Sequence, residues 1–211
     1  MSAFKKVSRR FAGTVALAIA ALALSAPVAQ AGPLADSATS CADQTYSQPF
    51  LPWADPASYT LAPDGSFEHG SGSWSLSGGA AVASGNESYQ VGGANDSHSL
   101  SLPSGSSATS GAMCVGIEHP DVRLFARNSG SPLSTLRVDV LFEDAAGTVN
   151  SLQIGTISSG SSWQPTAPSP IVANLLAVLS NDQTAVAFRF TPQGYAGSWR
   201  IDDVYVDPWH H

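Results

Sequence analysis

Hydrophobic and polar positions alternate along much of this chain with the two-residue period of a half-buried strand. Leu136 to Glu143 shows it most plainly. Leu136, Val138, Val140 and Phe142 take one side, while Arg137, Asp139, Leu141 and Glu143 take the other. Val122 to Arg127, Leu152 to Ile157 and Ala185 to Thr191 behave alike, the last with Val186, Phe188 and Phe190 pointing inward. Turn chemistry interrupts these runs at Pro63-Asp64-Gly65, Ser77-Gly78-Gly79, Gly92-Gly93, Pro103-Ser104-Gly105, Asn128-Ser129-Gly130, Gly147, Ser159-Gly160 and Gly194. Short strands punctuated in this way, roughly every 8 to 12 residues, predict an all-β sandwich or barrel. Ile171 to Leu179 is the one stretch that could be a helix, since a short apolar run cannot be typed by periodicity alone.

The final run, Trp199 to Asp207, changes phase. Trp199 and Ile201 point one way, then Val204 and Val206 point the other, which predicts a bulge or bend at Asp202-Asp203. With Val204 and Val206 facing the core, Asp202 shares their side, and an inward carboxylate is costly unless a cation pairs with it.

The first 31 residues follow a different rule. Lys5, Lys6, Arg9 and Arg10 precede an apolar run from Phe11 to Leu24, and Ala29-Gln30-Ala31 offers a small-x-small cleavage site. That is the pattern of a bacterial, actinobacterial-type signal peptide, and it predicts a secreted, extracellular protein. The general secretory route is expected, and the twin arginines Arg9-Arg10 leave the Tat route open. The 14-residue apolar run is shorter than a membrane span needs, so no integral span is expected after cleavage. Residues 32–60, rich in Pro, Ser, Ala and Asp with scattered aromatics, read as an irregular strap that cannot bury a core of its own. Residues 61–211 form the β-domain.

Charge and cysteine content narrow the function classes. The chain holds nine Lys and Arg, four of them in the leader, leaving five, all Arg, against 16 Asp and Glu, a balance of −11. Such a surface repels nucleic acid, which is excluded as a partner. Cys41 and Cys114 are the only cysteines, and in an oxidising compartment they read as a disulfide, worth about 4 kcal/mol in the chain-entropy model. No G-x-S-x-G elbow is present, and the lysine-free mature chain has no P-loop and no Schiff base. His69, His98 and His119 are isolated. The expectation is a protein that is not an enzyme, although no spacing rule excludes the paired carboxylates of a small glycoside hydrolase.

Two motifs at opposite ends of the β-domain carry a resemblance. Phe67-Glu68-His69-Gly70, followed by Trp74, opens it, and Trp199-Arg200-Ile201-Asp202-Asp203-Val204 closes it. This pairing resembles the jelly-roll carbohydrate-binding modules and their galactose-binding-like relatives. The resemblance implies a jelly-roll sandwich of two antiparallel sheets with its first and last strands side by side. It also implies a structural Ca²⁺ held by Glu68 and Asp202, a choice that suits the cation's demand for oxygen ligands. The function implied is non-catalytic binding of cell-wall or extracellular polysaccharide by a monomer. The alternative is a cell-surface or matrix protein that contacts other proteins. Sugar stacks on exposed aromatic rings with a few polar partners, so Tyr89, Trp163 and Tyr195 are candidate platforms and Arg127 a candidate polar contact. Trp74 and Trp199 match core positions of the resembling fold. Arg123, Arg127, Arg137 and Arg189, with Asp139 and Glu143, read as one polar strand face laced by solvated ion pairs.

Overall fold

The computed structural model describes residues 33–38, 44–116, 121–144, 146–171 and 183–207. The leader, Cys41, His119 and most of the helix candidate at 171–179 lie outside those residues. Strands are numbered in chain order. One sheet runs β10 (Gln164–Pro165), β7 (Asp121–Asn128), β13 (Trp199–Asp207), β4 (His98–Leu102), β3 (Ala81–Ser84), with β1 (Thr60–Leu61) added to β13 and β11 (Ser169–Pro170) to β7. The other runs β2 (Ser75–Ser77), β5 (Ser107–Thr109), β12 (Gln183–Gln193), β8 (Thr135–Glu143), β9 (Val149–Ile157), with β6 (Met113–Gly116) also on β12. Every pairing is antiparallel, and the two sheets face each other as a jelly-roll sandwich.

The alternation seen in the sequence is what fills the space between the sheets. Leu136, Val138 and Val140 of β8 and Val186, Phe188 and Phe190 of β12 meet Leu100 and Leu102 of β4, Val122, Leu124 and Ala126 of β7, and four residues of β13. Those four are Trp199, Ile201, Val204 and Val206, all on one face despite their phase change. The predicted bulge achieves this. Asp202 lies opposite Phe125 and Tyr205 opposite Arg123, so β13 carries one residue more than β7 between those pairs. The extra residue is Asp203, in left-handed backbone at φ 47°, a conformation that aspartate tolerates better than most residues. The expected side for Asp202 is thereby corrected. It follows Ile201 onto the outer face of the sheet instead of sharing the core side with Val204. Trp74 and Trp199 sit in the core as the resemblance implied.

The opening motif is locked to the closing one at a glycine. Ala62 N–H donates to Val204 O at 2.8 Å and Val204 N–H donates to Gly65 O at 3.0 Å. A Cβ at position 65 would lie 2.9 Å from both Ala62 O and Val204 O, closer than side chains are found to approach, so only glycine fits this turn.

Residues 44–59 lie over the outer face of the seven-stranded sheet. Phe50 and Tyr59 come down on Phe125 of β7 and Tyr205 of β13, giving a second buried apolar cluster that Trp163 completes. Phe50 is fully buried, with ring centroids of Tyr59, Phe125 and Tyr205 at 5.0, 5.4 and 5.9 Å. The Arg123 guanidinium lies 4.2 Å above its ring and pairs with Asp55 of the strap. A further short helix, α1 (Pro33–Ser37), reaches the other sheet, where the N–H groups of Leu34 and Ala35 donate to the Glu143 carboxylate. Burying Phe50 alone stabilises by about 1.5–3 kcal/mol, so the strap is an integral part of the fold. Among the described residues no helix is long and apolar enough to cross a membrane.

The single arginine-rich face read from the sequence is in fact two. Arg123 and Arg127 lie on β7, in one sheet. Arg137 and Arg189, on β8 and β12, belong to the other, where both pair with the buried Asp139 at 2.6 and 3.6 Å. Alternation assigns a side chain to a face of its strand and is silent on which sheet the strand joins.

Candidate functional site

The outer face of the seven-stranded sheet gathers three of the four candidate ligand residues, Tyr89, Trp163 and Arg127. Val122, Leu124 and Ala126 point into the core, so Arg123, Phe125 and Arg127 point out. Trp163 stands just before β10, which pairs Gln164 with Ala126 and so sets the indole beside Arg127. The Arg127 guanidinium lies 5.3 Å from the Trp163 ring centroid. Tyr89, from the loop between β3 and β4, donates its hydroxyl to Trp163 O at 3.2 Å. Residues 74 positions apart are thus brought together. Their roles differ, however. Trp163 is only 8% exposed, so its ring offers no platform and instead backs Arg127 from below. Tyr89 is 41% exposed. Its ring meets Trp53 of the strap edge-on at 4.9 Å, and Phe125 supports both, at 5.7 and 5.4 Å. The aromatic surface offered to a ligand is therefore Tyr89 with Trp53, a residue that sequence reasoning did not single out. Tyr195, at 95% exposure, stands in the turn between β12 and β13 near the exposed Leu133 and joins neither ring.

A carboxylate cluster lies beneath the same β3–β4 loop. On the bulge, Asp202 is fully buried and accepts from Glu87 N–H at 2.8 Å and Asp203 N–H at 2.9 Å. Glu87 folds back to accept from Val91 N–H at 2.6 Å and from Tyr89 N–H. Asp203 accepts from Gly92 N–H at 3.2 Å through one oxygen, while its buried Oδ1 has no partner. A Cβ on Gly92 would lie 2.5 Å from Asp96 Oδ2 and 2.9 Å from Asp203 Oδ1, so these two carboxylates converge on the same glycine. Glu68 sits at the rim, accepting from Ser97 N–H at 2.9 Å, from His98 N–H at 2.7 Å and pairing with His98 Nδ1 at 3.1 Å.

The electrostatics follow from this crowding. Burial, then the charge of Asp203, pushes Asp202 up to about 9. Burial, then Glu87 and Asp96, with Glu68 beyond them, pushes Asp203 up to about 7. Asp96 is raised by burial and by Glu68. Glu68 alone falls: burial works to raise it, but the hydrogen bonds from His98 and Ser97 outweigh that.

Both Asp202 oxygens, expected to serve as cation ligands with Glu68, are taken by backbone N–H groups. Among the described residues no three His, Cys, Asp or Glu side chains have the geometry to hold a metal ion. The donor chemistry nonetheless fits calcium. Asp203 Oδ1 is orphaned and buried, Asp96 Oδ2 converges with it on Gly92, and a hard divalent cation would relieve the repulsion that raises Asp203. Of the expected disulfide, Cys114 is fully buried on β6 and Cys41 lies outside the described residues.

A cleft of about 670 Å³ opens at the sandwich edge between β9 and the β10–β11 segment. Thr156, Ser158, Ser159, Gln164, Thr166 and Ser169 supply its polar lining, and among the described residues no charged side chain lines it.

No protein-family model and no curated protein matches the chain. Solved structures do. The chain is similar to the CBM22-1 and GH10 modules of a Clostridium thermocellum endo-1,4-β-D-xylanase complexed with xylohexaose, at 15% identity and a TM-score of 0.47. That match covers 67% of this chain and 27% of the other, so the chain spans about a quarter of that enzyme's length. It is similar to TmCBM61 in complex with β-1,4-galactotriose, at 15% identity and a TM-score of 0.43, over 69% of this chain and 96% of that one. It is also similar to the CBM22-1 xylan-binding domain from a Paenibacillus barcinonensis protein, at 13% identity and a TM-score of 0.45, over 67% and 89%. The likeness is one of fold.

Proposed function

We propose that the chain is a secreted, non-catalytic glycan-binding domain whose contact surface is the outer face of the seven-stranded sheet around Tyr89, Trp53 and Arg127. One observation carries the reading: a half-exposed tyrosine, propped by Trp53 and Phe125, stands beside an arginine seated on Trp163. A ring held rigid from below while one side stays in water presents an apolar surface that stacks on a sugar's C–H face at little cost in side-chain entropy. Hydroxyl groups of the sugar then find donors on the arginine. The test is retention of the protein on insoluble xylan, galactan and cell-wall material. Tyr89→Ala and Trp53→Ala should each weaken it at least tenfold, measured at a temperature where both variants remain folded. No retention on any polysaccharide would overturn the reading.

The acidic cluster supports a second element of the same proposal, a structural calcium. Asp203 and Asp96 would hold it, with backbone carbonyls and water supplying the remaining oxygens. The ion would tie the β3–β4 loop and the closing strand together and so fix the loop that carries Tyr89. Isothermal titration with calcium should show one site in the intact protein and none in Asp203→Asn.

A further inference from the structure

The five arginines that follow the leader are the chain's only strong cations beyond residue 31, and four of them have a visible task. Arg123 pairs with Asp55 and donates its Nε–H to Thr166 O. Arg137 and Arg189 share Asp139. Arg200 is spent on backbone, with Nη2 donating to the carbonyls of Ala83, Ser84 and Gly85 and to Ser99 Oγ. Arg127 is the exception. Among the described residues it makes no hydrogen bond and no ion pair, and its Nε is buried without a partner. Its guanidinium lies over the Trp163 ring.

The position makes this costly. Arg127 lies directly opposite Arg200 in the β7–β13 register, and the two charges oppose each other. The nearest acid along β13, Asp202, turns its oxygens to Glu87 and Asp203 N–H and leaves Arg127 unanswered. A chain with 16 carboxylates does not lack partners for an arginine. Leaving this one unpaired, over an indole and opposite a second guanidinium, leaves its terminal Nη donors free for an anion that arrives from outside. A guanidinium takes a carboxylate through two parallel N–H donors, a geometry that a flexible ammonium does not offer.

We propose that Arg127 anchors the carboxylate of an acidic sugar residue, so that the ligand is a uronate-bearing polysaccharide. The inference rests on the glycan-binding surface proposed above and specifies its ligand. Tyr89 receives the ring of the sugar and Arg127 its charged substituent. The acidic balance of the domain does not forbid this contact, because at physiological salt charges beyond about 8 Å are largely screened.

The experiment compares polygalacturonate with the same polymer after chemical reduction of its carboxyl groups, by affinity electrophoresis of the intact mature protein. The expected result is retardation by polygalacturonate that falls about tenfold to a hundredfold on the reduced polymer, matching the value of a charge-assisted hydrogen-bonded pair. Millimolar free glucuronate should compete, and glucose should not. Arg127→Gln should lose the preference for the acidic polymer while Arg127→Lys keeps part of it. Equal binding to the two polymers, or an unchanged preference in Arg127→Gln, overturns the acidic ligand and leaves the glycan surface standing. No binding to either polymer, or to xylan and galactan, overturns both. The polymer comparison uses the unmutated protein, so its outcome does not depend on whether the variants fold.

Discussion

Asp203 gives the chain a pH dependence of unusual sign for an acid-rich protein. Its carboxyl is 1% exposed, and burial, followed by Glu87 and Asp96, raises it from 3.8 to about 7. The folded state therefore holds a proton that the unfolded chain has already released. Stability from this group is complete below about pH 4 and is lost as the pH rises towards 7, the reverse of a salt-bridged aspartate. At about 1.4 kcal/mol for each tenfold change in proton affinity, the rise is worth roughly 4 kcal/mol at its limit. Glu68 and Asp55, both held low, act only at the acid end of the range. Urea unfolding followed by tryptophan fluorescence in EDTA should give at least about 2.7 kcal/mol more stability at pH 5 than at pH 8, two pH units at about 1.4 kcal/mol each for Asp203, with Asp202 adding in the same sense. Calcium at about 100 times its Kd should return about 2.7 kcal/mol at pH 8. Asp203→Asn should remove the Asp203 share of the pH response, leaving the part that Asp202, pushed up to about 9, contributes with the same sign, and abolish the calcium effect. A metal-free midpoint that is the same at pH 5 and pH 8, or a wild-type slope in Asp203→Asn, would refute the reasoning.

The strap supplies a second prediction. Phe50→Ala removes a fully buried ring, and should cost about 3 kcal/mol, the lower end for such a truncation because a surface segment can settle into the gap. That corresponds to a melting temperature lower by about 6–12 °C, and a loss below about 1 kcal/mol would show that residues 44–59 are not integral to the domain. The disulfide is testable in the same assay. Gln44, three residues beyond Cys41, donates Nε2–H to Cys114 O at 2.8 Å, which brings the strap within reach of β6. Reduction, or Cys41→Ser, should lower stability by about 2–4 kcal/mol, and an unchanged urea midpoint in reductant would rule the crosslink out.

Much of the frame is legible in the sequence because strand periodicity records burial directly. The alternation in β8 and β12 marks the core residues one by one, and the phase slip at Asp202-Asp203 marks the bulge. The slip shows that a residue is inserted, but not which of the two aspartates takes the left-handed backbone. Periodicity alone therefore puts Asp202 on the wrong face. The sheet partner of a strand is decided by contacts far along the chain, so Arg127 and Arg137 look alike in sequence and lie in different sheets. Trp163 sits among serines and glycines, where nothing announces a buried ring. Glu87 and Asp96 escape notice because an irregular loop has no period. The Gly92-Gly93 pair between them is the one available signal, and it reads as an ordinary turn.

The bulged strand also dictates when this protein can fold. β13 is the last of the described strands and lies in the interior of its sheet, with β7, β4 and β1 all paired to it. Until residues 199–207 arrive, β4 and β7 have no common neighbour and the core lacks Trp199, Ile201, Val204 and Val206. Pairings that join the two ends of a chain are slow to form, since loop closure precedes any gain from the contacts. The seven-stranded sheet therefore closes only when residues 199–207 slot between β4 and β7, and every strand made before them waits on that one insertion.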